Sequence, residues 1–270
     1  GYSYFMTAVL ESKRRVDAIL LKCKSDAQTA IKQLIAKYKR AFKIIITHVR
    51  ADGDGPFVDH DLLNWYKQQG IIWGPSTAYT PQQNGLAERF QQTLMNTARA
   101  LLIRADLTHG YWCYAIKSAA YLLNRQTHKG SRENMSAYEA VNGSKPNLSH
   151  LIPFGCIGVF HIHKNVRKRA PGYHPLDARG ICVRMLGYDE NMRGTCVLRT
   201  QSGTQIRGRL SKCYPKTFAF PKIEYSVMSP IVKQVESKEL PVNDEKPDDV
   251  RRSKREARGV PPPRMGMTGN

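Results

Sequence analysis

The chain has 270 residues, with 42 Lys or Arg against 22 Asp or Glu, a net charge of +20 and a pI near 9.8. A hydrophobic content of 41% supplies a real core and excludes a wholly disordered chain. No apolar run approaches the ~18 residues of a membrane helix, so no membrane partner is expected. The charge excess is self-repelling unless a polyanion is near, which favours a nucleic-acid partner over a merely solvated basic surface.

The charge is not uniform. Residues 1–150 carry 20 basic and 11 acidic side chains, residues 151–220 carry 12 and 3, and residues 221–270 carry 10 and 8. The positive field therefore belongs to the folded body more than to the last fifty residues. The six cysteines form no C-x-x-C pair and stand at no zinc-ligand spacing to a histidine. They read as reduced thiols of an intracellular protein, with no zinc site. The chain opens at Gly1 directly on strand-like sequence, as a piece of something longer would.

Tyr4–Val9 and Val16–Leu21 are β-prone runs around a charged turn and predict a hairpin. Ser25 and Asp26 offer an N-cap for a helix to about Arg40, with Ala27, Ile31, Leu34 and Ile35 on its buried stripe. Lys43–Val49 predicts a strand that breaks at a glycine-rich turn after Asp52, and Asp59–Gln69 a helix stopped by Gly70. Ile71–Trp73 reads as a short strand, and 74–83 as a polar loop stiffened by Pro75 and Pro81. The helix from Asn84 to Ile103 has the clearest period. Leu86, Phe90, Thr93, Leu94, Thr97 and Leu101 fall on its inner side, and Asn84, Glu88, Gln91, Gln92, Met95 and Arg99 on its outer side. A helix over Tyr111–Asn124 and a short one at Ser136–Val141 follow. This order predicts a mixed sheet flanked by helices. Beyond residue 153 the period drops to two, and five short strands (Val159–His163, Gly180–Leu186, Thr195–Arg199, Thr204–Leu210, Cys213–Phe218) predict a small β-barrel. Residues 221–270 read as disordered, with a basic cluster at Arg251–Arg255.

Thirty-five residues lie between Asp52, at a strand end, and Glu88, on a helix. Two carboxylates so placed make an oxygen-rich site for Mg²⁺ if they meet in space. Such a pair alone has no specificity; the flanking words give it meaning. Val49-Arg50-Ala51-Asp52-Gly53-Asp54-Gly55-Pro56-Phe57, Tyr79-Thr80-Pro81-Gln82-Gln83-Asn84-Gly85-Leu86-Ala87-Glu88-Arg89, Ala119-Ala120-Tyr121-Leu122-Leu123-Asn124-Arg125, Leu151-Ile152-Pro153-Phe154-Gly155-Cys156 and Leu186-Gly187-Tyr188 together span most of residues 1–220. In these words the chain resembles the integrase of Ty1/copia-type long-terminal-repeat retrotransposons, a branch of the retroviral integrase superfamily.

The resemblance implies an α/β RNase H-like catalytic core over 1–128 with its first strand missing, a linker at 129–153 with a short helix, an SH3-like DNA-binding barrel over 154–220, and a disordered tail at 221–270. It implies Asp52 and Glu88 as the second and third acids of a D,D-35-E triad that holds Mg²⁺ or Mn²⁺, with phosphoryl transfer between DNA strands as the reaction. It implies DNA contacts at Asn84, Gln91, Gln92 and Arg99, and at the basic run Lys164, Arg167, Lys168 and Arg169. Element ends and target DNA, further copies of the chain, and a nuclear location after a cytoplasmic particle stage are the expected context. The family's first Asp should precede Gly1; where its Y-F-x-x-x-x-D-D word would put two acids, the chain has Leu10 and Glu11. Gly53 and Pro56 also depart from the pattern. The chain as it stands is therefore expected to bind DNA without joining strands. A non-enzymatic DNA-binding remnant is the competing reading, and an RNase H-type nuclease a third.

Other residues offer alternatives. Asp54 is an alternative ligand to Asp52. Asp17 or Glu11 could replace the missing acid, though either reads more simply as surface. His161 and His163 share a strand face, and Trp73 beside Tyr79 reads as core rather than as a base-stacking platform.

Overall fold

The computed structural model describes residues 1–52, 57, 59–76, 81–127, 134–163, 174–176, 178–189, 195–220 and 264–269. The chain divides into two compact units. Gly1–Thr97, Ala119–Asn147 and Pro247–Asn270 form the first; Ala98–Ser118 and Leu148–Lys246 form the second.

In the first unit, strands β1 (Tyr4–Leu10) and β2 (Arg15–Leu21) pair antiparallel through a 3₁₀ turn at Glu11–Lys13, which Arg14 closes in the left-handed region at φ 51°. Helix α1 (Asp26–Lys37) follows and runs into a π-helical turn at Tyr38–Phe42. Ala27, Ala30, Ile31, Leu34 and Ile35 form its buried stripe, the i, i+3, i+4 pattern of a core-facing helix. Asp26 rather than Ser25 anchors its start, the Asp26 carboxylate accepting from the N–H groups of Lys22 and Cys23 at 3.0 and 3.1 Å. Strand β3 (Ile46–Asp52), helix α2 (His60–Gln68) and strand β4 (Ile72–Ser76) then form a crossover unit whose strands pair parallel. Asp59 caps α2 by accepting from Asp61 N–H at 2.9 Å.

β4 runs through Gly74 and Pro75, where a loop was expected. It lies at the edge of the sheet, where a missing donor costs no ladder bond. Helix α3 (Pro81–Arg104) begins three residues earlier than expected, with Pro81 in the first turn, where proline's lack of an N–H is harmless. Helices α4 (Trp112–Leu123) and α5 (Ala137–Asn142) follow, α5 capped by Ser136, whose hydroxyl accepts from Glu139 N–H.

In the second unit β5 (Ile157–His161), β6 (Gly180–Tyr188), β7 (Cys196–Thr200), β8 (Gln205–Gly208) and β9 (Leu210–Tyr214) form an antiparallel sheet in the order β8-β7-β6-β5-β9. Cys156, Ile162, Ile181, Val183, Met185, Cys196 and Leu198 fill its concave side. The five expected strands are present, the last displaced because Arg209 interrupts the ladder and Leu210 opens β9 rather than closing β8. The expected closed barrel is corrected to an open sheet among the described residues, for no pairing joins β8 to β9. The sheet nevertheless curls strongly. Gly208 on β8 lies against the Phe160 ring on β5, three strands away, so closely that a Cβ there would sit 2.3 Å from a ring carbon.

A second correction concerns the tail. Strand β10 (Arg264–Gly269) lies within the reach expected to be disordered, yet it occupies the centre of the first sheet, whose order is β2-β1-β10-β3-β4. It pairs parallel with β1, Thr7 to Leu10 against 264 to 267, and antiparallel with β3, with a register shift between Thr268 and Gly269. The β1–β2 hairpin and the β3–β4 pair are joined only through this strand among the described residues.

Candidate active site

β3 positions the first candidate residue. Along it Val49 and Ala51 are buried while His48 and Arg50 are exposed, and Asp52 ends the strand in register with Ser76 of β4. Asp54 and the loop that follows lie outside the described residues, as do Tyr79 and the basic run Lys164, Arg167, Lys168 and Arg169. Glu88 lies half-buried on α3 between buried Ala87 and exposed Arg89. The helix buries Ala87, Phe90, Gln91, Leu94, Ala98 and Leu102. At ~100° per residue Gln91 stands ~40° from the line through Ala87 and Ala98, inside the buried arc, whereas Glu88, Gln92, Met95 and Arg99 stand ~80–140° round. Gln91 is accordingly only 6% exposed, which corrects its expected place on the outer face. Gln92 and Arg99 are exposed as expected, and Asn84 lies on the first turns of the same helix.

No third acid joins Asp52 from the first hairpin. Asp17 aligns across the sheet with Ala8, Met265 and Ala51, which puts it three strands, or ~14 Å, from β3. It is also not a surface residue. At 6% exposure it accepts hydrogen bonds from Tyr38 Oη at 2.6 Å and from Arg15 Nε at 3.2 Å, and it pairs with Lys37 Nζ at 3.3 Å. Burial raises its pKa, but Arg15, Lys37 and the Tyr38 hydroxyl together outweigh burial and hold the carboxyl at about 2. Such a carboxylate is committed to its own cluster. Glu11 is exposed in the turn after Leu10, and Leu10 aligns through Met267 with Val49. That places Glu11 about four residues, or ~13 Å, short of the Asp52 level and two strands away. β10, the strand beside β3, carries neither Asp nor Glu.

Asp52 at the end of β3 and Glu88 on α3 are both hard oxygen ligands of the kind Mg²⁺ prefers. Among the described residues, which do not include the Asp52 side chain, no three His, Cys, Asp or Glu groups gather into a metal site. His161 ends β5 exposed and His163 lies beyond it, with buried Ile162 between them. Trp73 stacks on Tyr66 at 5.9 Å and packs against the core, the role expected of it.

No protein-family model matches the chain. Among curated proteins it is 26% identical over 194 residues to the retrovirus-related Pol polyprotein of transposon TNT 1-94 from Nicotiana tabacum, covering 72% of this chain and 14% of that protein. It is 30% identical over 227 residues to the Pol polyprotein of transposon RE2 from Arabidopsis thaliana, covering 84% and 15%. The chain is a homologue of Ty1/copia-type retrotransposon Pol polyproteins. It spans about one-seventh of the length of these plant relatives. The Ty1-LR3 Gag-Pol polyprotein of Saccharomyces cerevisiae is also similar, at 26% over 168 residues, covering 60% and 9%. Among solved structures, the catalytic core domain of BIV integrase aligns with TM-score 0.38 and 21% identity, covering 53% of this chain and 95% of that one. A simian T-cell lymphotropic virus intasome chain aligns with TM-score 0.39 and 14% identity, covering 75% and 68%.

In this Pol homologue several of the words that carry the resemblance hold structure rather than chemistry. Asn124 accepts from Val16 N–H at 2.9 Å and donates to Val16 C=O at 2.6 Å, tying the end of α4 to the outer edge of β2. Tyr188 accepts from Ile152 N–H at 2.6 Å and donates to Ile152 C=O at 2.9 Å, so the words around Gly187 and Phe154 lock together. Gly155 takes φ +80° and presses on Ala105, where a Cβ would approach to 2.2 Å. A side chain would be strained by the first condition and excluded by the second. These pairings link residues 36 to 108 positions apart, and the sequence alone does not expose them.

Proposed function

We propose that this chain is a DNA-binding piece of a retrotransposon integrase in which Asp52 and Glu88 are two of the acids that hold a divalent metal, and that the chain alone does not join DNA strands. The observation that carries this reading is the placement of Asp52 at the end of β3 and Glu88 on α3, while β10, beside β3, brings no carboxylate. Mg²⁺ or Mn²⁺ bound at such acids supplies Lewis-acid stabilisation of the oxygens that attack and leave phosphorus. Two carboxylates hold one ion loosely and leave the position of a second unfixed. Gln92 and Arg99, exposed in the same row of α3 as Glu88, are placed to meet the backbone of a duplex brought to that row. The basic run Lys164–Arg169 adds backbone contacts of the same kind in the region 154–220, and the core of the reaction lies in 1–128. Further copies of the chain and a nuclear location, served by Arg251–Arg255, complete the proposal.

The test pairs a duplex-binding measurement with a strand-transfer assay. The expected result is salt-sensitive binding, with no joining of a recessed oligonucleotide to plasmid in Mg²⁺ or Mn²⁺. Joining that disappears in Glu88→Gln would overturn the inactive reading. Failure of the unaltered chain to bind duplex would overturn the DNA-binding one.

A further inference from the structure

Residues 27–51 contain no Asp or Glu at all, yet carry Lys32, Lys37, Lys39, Arg40, Lys43 and Arg50. The fold gathers four of these. Lys37, Lys39, Arg40 and Lys43, with Gln33, Ala36 and Ile45, line an open cleft of about 930 Å³ at the C-terminal end of α1. Lys37 is engaged with Asp17. Lys39, Arg40 and Lys43 are exposed, and none pairs with a carboxylate among the described residues. Three uncompensated cations around one depression repel one another, an arrangement that a polyanion relieves.

The backbone there is unusual on two further counts. The turn Tyr38–Phe42 is π-helical, and Lys43 closes it in the left-handed region at φ 59°, its N–H and that of Ile44 both directed to Tyr38 C=O. A π turn and a non-glycine residue at positive φ are each rare, and both concentrate at functional positions. The packing below leaves them no freedom to relax, for Tyr38 is buried with its hydroxyl on Asp17, and Phe42 lies under the Arg15 guanidinium at 4.8 Å.

The cleft is not part of the Asp52 site. Ile45 precedes the first residue of β3 and Asp52 is the last, a separation of ~20 Å along the strand. α1 shares its core with Ile46, Val49 and Ala51.

We infer that this cleft is a second nucleic-acid contact, a seat for the phosphodiester backbone of a duplex at the end of the sheet remote from Asp52. An open cleft rimmed by long, solvated cations suits a chain of phosphates read without sequence preference, because such contacts need charge and reach rather than enclosure. The inference rests on the DNA-binding reading above and adds to it a surface that the α3 row does not supply.

Binding of a fluorescein-labelled duplex is followed by anisotropy across a salt titration for the unaltered chain, a cleft variant (Lys39→Gln, Arg40→Gln, Lys43→Asn), an α3 variant (Gln92→Ala, Arg99→Gln) and their combination. Asn is chosen at position 43 because it tolerates positive φ. Loss of three phosphate contacts lowers the slope of log K against log salt by about 2 to 3 and raises Kd at least about tenfold at moderate salt. The combined variant should lose the product of both effects. Far-UV circular dichroism and urea midpoints matching the unaltered chain show that the fold is kept. If the triple variant does not fold, Arg40→Gln alone carries the test, with an expected slope change of about 0.9. A cleft variant that keeps the slope and affinity of the unaltered chain, while the α3 variant loses both, overturns this inference and leaves the integrase reading standing. Absence of duplex binding by the unaltered chain overturns both.

Discussion

Replacing Asp17 with Asn removes one charge from a cluster that is otherwise sealed. Its carboxylate receives Tyr38 Oη at 2.6 Å, Arg15 Nε at 3.2 Å and Nη2 at 3.4 Å, and Lys37 Nζ at 3.3 Å. An Asn side chain can still accept from Tyr38, and Lys37, with 36% of its side chain exposed, can turn to water. Arg15 cannot, because it is 8% exposed with its guanidinium over the Phe42 ring. Its buried guanidinium would face a neutral amide in place of the carboxylate, and removing one partner of a buried pair costs about 3–5 kcal/mol. With Lys37 free to resolvate, the lower end of that range applies, about 3 kcal/mol. Urea unfolding followed by tryptophan fluorescence measures it through the midpoint at constant slope. The companion Arg15→Met/Asp17→Leu removes both charges and should recover all but about 1 kcal/mol, because an apolar pair of similar volume needs no counter-charge. A loss below about 1 kcal/mol in Asp17→Asn would refute the reasoning, since it would mean that Arg15 finds another partner or water at no cost.

The same carboxylate fixes the acid limb of stability. Its pKa is about 2 in the fold against an ordinary 3.8, so the folded form binds its proton less readily than the unfolded chain. The contribution, about 2 kcal/mol, is whole above pH 4 and disappears as pH falls towards 2; urea midpoints at several pH values should show this limb and Asp17→Asn should lack it. Asn124→Ala strands both main-chain groups of buried Val16 and should cost about 3 kcal/mol in the same unfolding assay. Alkylation at mildly alkaline pH should label exposed Cys23 first and leave Cys156 intact; burial pushes the Cys156 thiol up, and the Cys213 thiol 3.3 Å away pushes it further. Mass spectrometry of the labelled peptides reads the order.

The hairpin, the helix–strand alternation and the five short strands were legible because each rests on a local period. The direction of α3 was legible and its exact face was not. Ala87 and Ala98 carry little apolar weight, so Leu86, Thr93 and Thr97 drew the expected stripe aside and left Gln91 on the wrong side of it. Asp17 read as surface because two of its partners, Tyr38 and Lys37, lie twenty or more positions away, and Arg15 two residues before it shows by sequence alone no sign of burial. The 35-residue spacing marked Asp52 and Glu88, but which strand lies beside β3 depends on pairing between the two ends of the chain. Arg-Met-Gly-Met-Thr-Gly, with two glycines and one β-branched residue, gives no local sign of a central strand.

That strand sets an order of assembly. Thr7 and Arg264 are register partners, 257 positions apart, and among the described residues no nearer segment bridges β1 to β3. The hairpin forms from neighbours, and the β3–β4 unit closes over a single helix, but neither can complete a ladder on its inner edge until position 264 has been made. Until position 264 has been made, the growing chain therefore carries two open strand edges, exposed to pairing with other chains. The slowest pairing in the molecule and its greatest exposure to aggregation thus fall at the same place, the inner edges of β1 and β3.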